Sequence, residues 1–223
     1  MSLLNKIEYL ISLPKSFYVS WRLTSFKLAL HLPIVVRFNT VLKNLSGKLE
    51  FGSRPYTGMV KIGFGEVGIY DKRYQRSILE ISGKVICKGK TTIGHGGRIC
   101  VMDKGILEFG NNFSNTAQMT IICKKNIIFD DDVLTSWETL IMDTDFHYSV
   151  NIETNQHSIA EKPIYIGKNV WIGTKAVILK GSHIANGCII GADALVTRKF
   201  EECNCVIAGN PATIVKKNHT LKR

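Results

Sequence analysis

Between Ile166 and Val196 the chain reads Ile166-Gly-Lys-Asn-Val-Trp171, Ile172-Gly-Thr-Lys-Ala-Val177, Ile178-Leu-Lys-Gly-Ser-His183, Ile184-Ala-Asn-Gly-Cys-Ile189, Ile190-Gly-Ala-Asp-Ala-Leu195, then Val196. An aliphatic residue opens every block, and the fifth place is small in each: Val170, Ala176, Ser182, Cys188 and Ala194. A period of six suits neither a helix of about 3.6 residues per turn nor a strand whose side chains alternate between two faces. It suits a solenoid with a triangular coil. The aliphatic residue points inward on each six-residue face, and the small one sits at the corner, where space is short.

Fainter copies lie upstream. Ile81, Cys87, Ile93 and Ile99 keep step, as do Phe109, Asn115, Ile121 and Ile127. The register then slips by two and resumes with Phe129, Thr135 and Ile141. Residues 1–45 read differently. Leu3, Leu4, Ile7, Leu10 and Ile11 recur at helical spacing, and Pro14 is expected to stop that helix. A second helix is expected from Ser16 to about Leu30, ended by Pro33. The expected organisation is a helical segment at 1–45, the solenoid at 46–216 and a basic tail at 217–223.

The bulk numbers bound the function. At 223 residues the chain makes one domain with a small appendage, and 45% hydrophobic with 21% charged residues argues against disorder. Lys and Arg number 29 against 18 Asp and Glu, an excess that points to anionic partners such as nucleic acid, a membrane surface or a phosphorylated cofactor. The basic residues are spread along the chain without a nucleic-acid motif, so no nucleic-acid partner is expected. The six cysteines, Cys87, Cys100, Cys123, Cys188, Cys203 and Cys205, form no C-x-x-C pair. They read as reduced thiols of a cytoplasmic protein, with neither a disulfide framework nor a metal site. No secretory leader pattern and no run of about 18 apolar residues is evident. The mix of Phe17, Trp21, Phe26 and Leu30 with Lys15, Arg22 and Lys27 has two readings. One is a cap over the open end of the solenoid, which is favoured; the other is a peripheral contact at the inner face of a membrane.

Three segments carry a family resemblance: Ser136-Trp137 with Ile141-Met-Asp-Thr-Asp-Phe-His147, then Pro163-Ile-Tyr-Ile-Gly-Lys-Asn-Val-Trp-Ile-Gly173, and Ala208-Gly-Asn-Pro-Ala212. Together with the repeat they resemble the hexapeptide-repeat acyltransferases over about residues 75–216. The look is nearest to sugar O-acetyltransferases of the polysaccharide and maltose/galactoside type. The resemblance implies a mainly β, left-handed parallel β-helix, an acetyl-CoA donor, no metal, and a homotrimer with active sites between subunits. It implies acetyl transfer to a hydroxyl of a sugar or polysaccharide precursor.

The repeat breaks once in an informative place. Ile141 and Ile166 stand 25 positions apart where one block takes six, so about 19 residues leave the coil as a loop at roughly 145–163. His147 lies at its root, after Asp143 and Asp145. A sugar hydroxyl is a poor nucleophile while protonated, and a histidine base suits the task. In the resembling family the matching histidine is the general base. Either Asp143 or Asp145 is expected to hold its tautomer, and the sequence does not choose between them. In an 18-residue coil Gly173 stacks beside Gly191, Thr174 beside Ala192, and Lys180 beside Arg198. Small residues there admit a coenzyme arm, and stacked cations suit its phosphates. The family's coenzyme pattern maps onto Trp171, Thr174, Ala192, Thr197 and Arg198, with Arg198 standing where lysine is usual. On the acceptor side the resemblance points to Asn115 and Gln118, and Trp137 either stacks on a sugar ring or joins the core.

Two other functions stay open. One is N-acylation of a nucleotide-linked amino sugar, although residues 1–45 are too short for the Rossmann-like domain such enzymes often carry. The other is a non-catalytic β-helix assembly module, which has no use for a histidine-rooted loop. A metal-dependent carbonic anhydrase on the same scaffold is set aside, because no two histidines here have H-x-x-x-x-H spacing.

Overall fold

A computed structural model describes residues 3–65, 67–71 and 74–222. Helix α1 (Leu3–Leu23) and the short α2 (Phe26–Ala29) lead into a parallel β-helix with three faces. The first face runs from the strand Ile34–Val36 to Cys205–Gly209, and Ala212–Lys217 folds back antiparallel on its last strand. The second face runs from Val41–Asn44 to Leu195–Val196, and the third from Lys48–Phe51 to Lys199–Phe200. The first coil strands therefore precede residue 46, and the strand Ala212–Lys217 reaches into the segment read as a tail.

The inward ladder follows the sequence period. Ile166, Ile172, Ile178, Ile184, Ile190 and Val196 are all buried, as are the small fifth residues. Ile172 pairs with Ile190 and Ile178 with Val196, a step of 18 residues per coil. Upstream the coil is longer: Ile121 pairs with Ile99 and Ile141, and Phe129 with Phe109. These coils hold wider side chains, among them a buried trio in which Phe113 lies 4.5 Å from Phe109 and 4.8 Å from Phe129. The fourth place of each C-terminal block, Asn169, Lys175, Gly181, Gly187 and Asp193, is left-handed, with φ between 52° and 79°. That turn lets the chain change direction within two residues at each corner.

The N-terminal helix departs from expectation. Pro14 lies inside α1 and does not stop it. Proline removes one intrahelical hydrogen bond, but serines on both sides of it tie the helix to the edge of the first face. Ser12 Oγ accepts from Phe38 N–H at 2.9 Å, and Ser16 Oγ accepts from Val36 N–H at 3.0 Å. Ser20 Oγ donates to the Ile34 carbonyl at 3.0 Å. All three serines are fully buried. An exposed sheet edge invites pairing with another chain, and here hydroxyls at four-residue spacing satisfy it instead. Ser16→Ala removes the partner of a buried N–H and is expected to cost about 1–3 kcal/mol. Thermal denaturation checks it, an unchanged midpoint being the contrary result.

Candidate active site

Two stretches leave the coil, and they leave from different edges of the prism. The described residues between Ile62 and Ile78 cross the edge between the first and second faces. Residues 143–163 cross the edge between the second and third.

The second stretch is a folded arm. Thr144 bridges Glu161 and Val150 bridges His157, both antiparallel, and Asp145 N–H donates to the Ala160 carbonyl at 2.9 Å. His147 sits on the arm, exposed, after the left-handed Phe146 at φ 61°. Phe146, Tyr148, Val150, Ile152 and Ile159 are exposed around it. His157 packs its ring 4.7 Å from Tyr148. The other histidines lie apart: His183 stacks on Tyr165 at 4.9 Å, and His219 lies near the C-terminus.

The two candidate orienting carboxylates meet other partners. Asp143 is fully buried. Its Oδ1 accepts from Lys124 N–H at 2.7 Å, and its Oδ2 accepts from Lys125 and Asn126 N–H at 2.8 and 2.7 Å. Of the two roles open to this pair, Asp143 takes the turn: both its oxygens accept from the turn between the strands Thr120–Cys123 and Asn126–Phe129. Asp145 forms an ion pair with Lys180, whose Nζ also donates to the Ile159 carbonyl. Lys180 thus clamps both strands of the arm onto the coil. Burial pushes Cys87 up to about 12, and it raises Cys123 too, with Asp143 adding to the effect.

The expected coenzyme residues divide between the two edges. Trp171, Gly173, Thr174 and Ala192 line the first–second edge, with Trp137 one coil earlier. Trp171 Nε1 donates to Ser136 Oγ at 3.0 Å, and Thr174 Oγ1 donates to the Trp137 carbonyl at 3.0 Å. A Cβ on Gly173 would come within 2.7 Å of the Ile190 carbonyl oxygen, so only glycine fits between these coils. Lys180, Thr197 and Arg198 lie on the second–third edge, below the arm. One Arg198 nitrogen donates to the Ala212 carbonyl at 3.1 Å, and the guanidinium rests over Phe200.

Asn115 is the clearest correction on the acceptor side. It is buried in the ladder between Ile93 and Thr135, its Nδ2 donating to Thr135 Oγ1 at 2.9 Å and to the Ser136 carbonyl at 3.0 Å. Its Oδ1 accepts from Gly94 N–H at 3.3 Å, so the carboxamide is spent inside the coil. Gln118 is half-buried and left-handed at φ 50°, with a buried Nε2 that has no hydrogen-bond partner.

The first–second edge holds residues the sequence did not single out. Tyr70, from the stretch between Ile62 and Ile78, donates its hydroxyl to Glu138 at 2.8 Å, and its ring lies 5.5 Å from that of His95. Burial, with Glu138 adding to it, lifts the Tyr70 phenol to about 12, so it stays a donor at neutral pH. His95 is buried at the end of the strand Thr91–His95. The only sequence hint was the long, glycine-bearing gap between Ile62 and Ile78. Among the described residues, no group of three or more His, Cys, Asp or Glu is placed to hold a metal ion.

Residues 163–198 match the model of the bacterial transferase hexapeptide family, six repeats. A putative lipopolysaccharide biosynthesis O-acetyl transferase, WbbJ, of Escherichia coli K12 is 31% identical over 140 residues, covering 59% of this chain and 71% of that protein. The galactoside O-acetyltransferase of the same strain is 30% identical over 113 residues, half of this chain and 54% of its own length. Among solved structures, the polySia-specific acetyltransferase NeuO superposes with a TM-score of 0.58 at 20% identity, covering 84% of this chain and 74% of that one, a likeness of fold.

Proposed function

Because the chain belongs to the hexapeptide-repeat acyltransferases and is an acetyl-CoA-dependent acetyltransferase, we propose that it acetylates a saccharide hydroxyl with His147 as general base. The observation that carries this reading is the arm: a histidine held off a rigid coil by a clamped hairpin, on the same edge as Arg198 and Thr197. Acetyl-CoA is here a substrate. His147 takes the proton of the acceptor hydroxyl as its oxygen attacks the thioester carbonyl. The tetrahedral oxyanion collapses with loss of the coenzyme thiolate, which recovers the proton from the imidazolium. Gly173 N–H is already bonded to the Ile190 carbonyl at 2.8 Å, so Thr174 N–H is the oxyanion donor in this scheme. Arg198 receives a phosphate, with Thr197 beside it. Asp143 and Asp145 act as positioning residues for the arm. Gln118 and Trp137 face the acceptor.

The working unit in this proposal is a homotrimer. One chain carries His147 on one edge and Trp171, Thr174 and Ala192 on another, so a neighbouring copy must bring the two edges together. Five exposed apolar residues on the arm give it a surface to pack against that neighbour. The cytoplasm, where acetyl-CoA is available and thiols stay reduced, is the compartment this scheme requires.

Thiol release from acetyl-CoA with a panel of saccharides tests the reaction, and no turnover with any acceptor would count against it. Subunit mixing tests the shared site. His147→Ala and Ala192→Trp chains, each inactive alone, are expected to recover about a quarter to a third of wild-type turnover when co-refolded, since a mixed trimer holds one intact site of three. No recovery would mean that each chain builds its site alone.

A further inference from the structure

Helix α1 carries more apolar surface outward than it buries. Its buried side is only partly apolar: Val19 and Leu23 reach the core, while Ser12, Ser16 and Ser20 are fully buried against the edge of the first face. Its outward side is apolar. Ile7, Leu10, Ile11, Tyr18 and Trp21 are 47%, 61%, 50%, 46% and 48% exposed. At about 100° per residue these fall on one uninterrupted arc with Pro14 in its middle. Phe26 and Leu30 extend the surface, with Phe26 meeting Phe17 and Trp21 edge-on at 5.8 and 6.2 Å. A helix of a globular protein normally turns such an arc inward, where each large side chain gains about 1.5–3 kcal/mol by burial. Leaving it in water forgoes that gain, so something outside the chain covers it.

Charge selects the occupant. Residues 1–45 hold six Lys and Arg, Lys6, Lys15, Arg22, Lys27, Arg37 and Lys43, and a single acid, Glu8. Glu8 is already paired with Arg37 at 2.7 Å, and Lys15 donates to the Thr40 carbonyl. Lys6, Arg22 and Lys27 remain exposed and flank the apolar arc on both sides. A second copy of this face would bring like charges together. An anionic lipid surface matches both features, taking the arc into its acyl boundary and the cations at its headgroups. No described helix is long and apolar enough to cross a membrane.

We propose that the outward face of α1, with Phe26 and Leu30, lies flat on an anionic membrane surface and docks the β-helix there. The docked end is opposite the C-terminal coils that carry Thr174 and Arg198. This surface is separate from the catalytic residues and does not depend on their assignment.

Co-sedimentation of the full chain with vesicles of roughly three parts phosphatidylcholine to one part phosphatidylglycerol tests it. Binding is expected, with Trp21 fluorescence shifting to the blue, and with loss of about tenfold or more on pure phosphatidylcholine. Leu10→Gln combined with Trp21→Gln is expected to abolish binding while leaving acetyl-CoA turnover on a soluble acceptor intact. Lys6→Gln, Arg22→Gln and Lys27→Gln together are expected to weaken binding and flatten its salt dependence. Equal binding by the Leu10/Trp21 variant, or no vesicle binding by wild type, would overturn the proposal. Self-association that the same variant disperses would replace the membrane with a second copy.

Discussion

Alanine at position 147 is expected to lower kcat by about 10²–10⁴-fold while leaving the KM for acetyl-CoA within about threefold. In the proposed scheme the imidazole acts on the acceptor hydroxyl in the transition state, so its loss removes an interaction that ground-state donor binding does not use. His147 is exposed on the arm and has no hydrogen bond that folding requires, so the variant should fold as wild type does. Thiol release under saturating acetyl-CoA, with denaturation run alongside, measures both. A kcat within about threefold of wild type would remove His147 from the chemistry.

Asp143 gives the second large effect, and it should appear in stability. Three backbone N–H groups converge on this buried carboxylate. Hydrogen bonds to a charged acceptor are worth about 1.5–3 kcal/mol each, though they are not additive. Asp143→Ala leaves all three donors unpaired, and a loss on the order of 3–5 kcal/mol is expected. For a chain of this size that is roughly a 10 °C fall in Tm. Asp143→Asn should lose much of the same, because its amide nitrogen must face an N–H. The two possible roles separate on one comparison. A turn-holding carboxylate gives low Tm with near-normal kcat per folded molecule. A ring-orienting carboxylate gives normal Tm with low kcat, which is the result that would restore the sequence expectation.

The same residue marks the limit of what the sequence could say. An acid four places before a histidine looks like a catalytic partner by proximity in the chain. The partners it meets, Lys124, Lys125 and Asn126, are 17 to 19 residues away and arrive through coil stacking. Asn115 was more legible than the family resemblance suggested. It keeps step with Ile93 and Thr135, and that inward register already implied a core position. Pro14 misled for the opposite reason. Local propensity predicts a stop there, and a serine stripe bonded to a strand some twenty residues later overrides it.

By itself the sequence determined the solenoid, its inward ladder and the place where the arm carrying His147 leaves it. Each of these follows from a short-range rule: one aliphatic residue per six positions, one small residue per corner, and one gap too long for the coil. Only the tertiary structure decided which residues share an edge. The contact of Tyr70 with Glu138 spans 68 positions, and the division of Trp171 and Thr174 from Lys180 and Arg198 depends on which corner each one turns. Periodicity fixes whether a side chain points in or out. The corner it occupies depends on the summed length of every coil before it, and here those lengths differ.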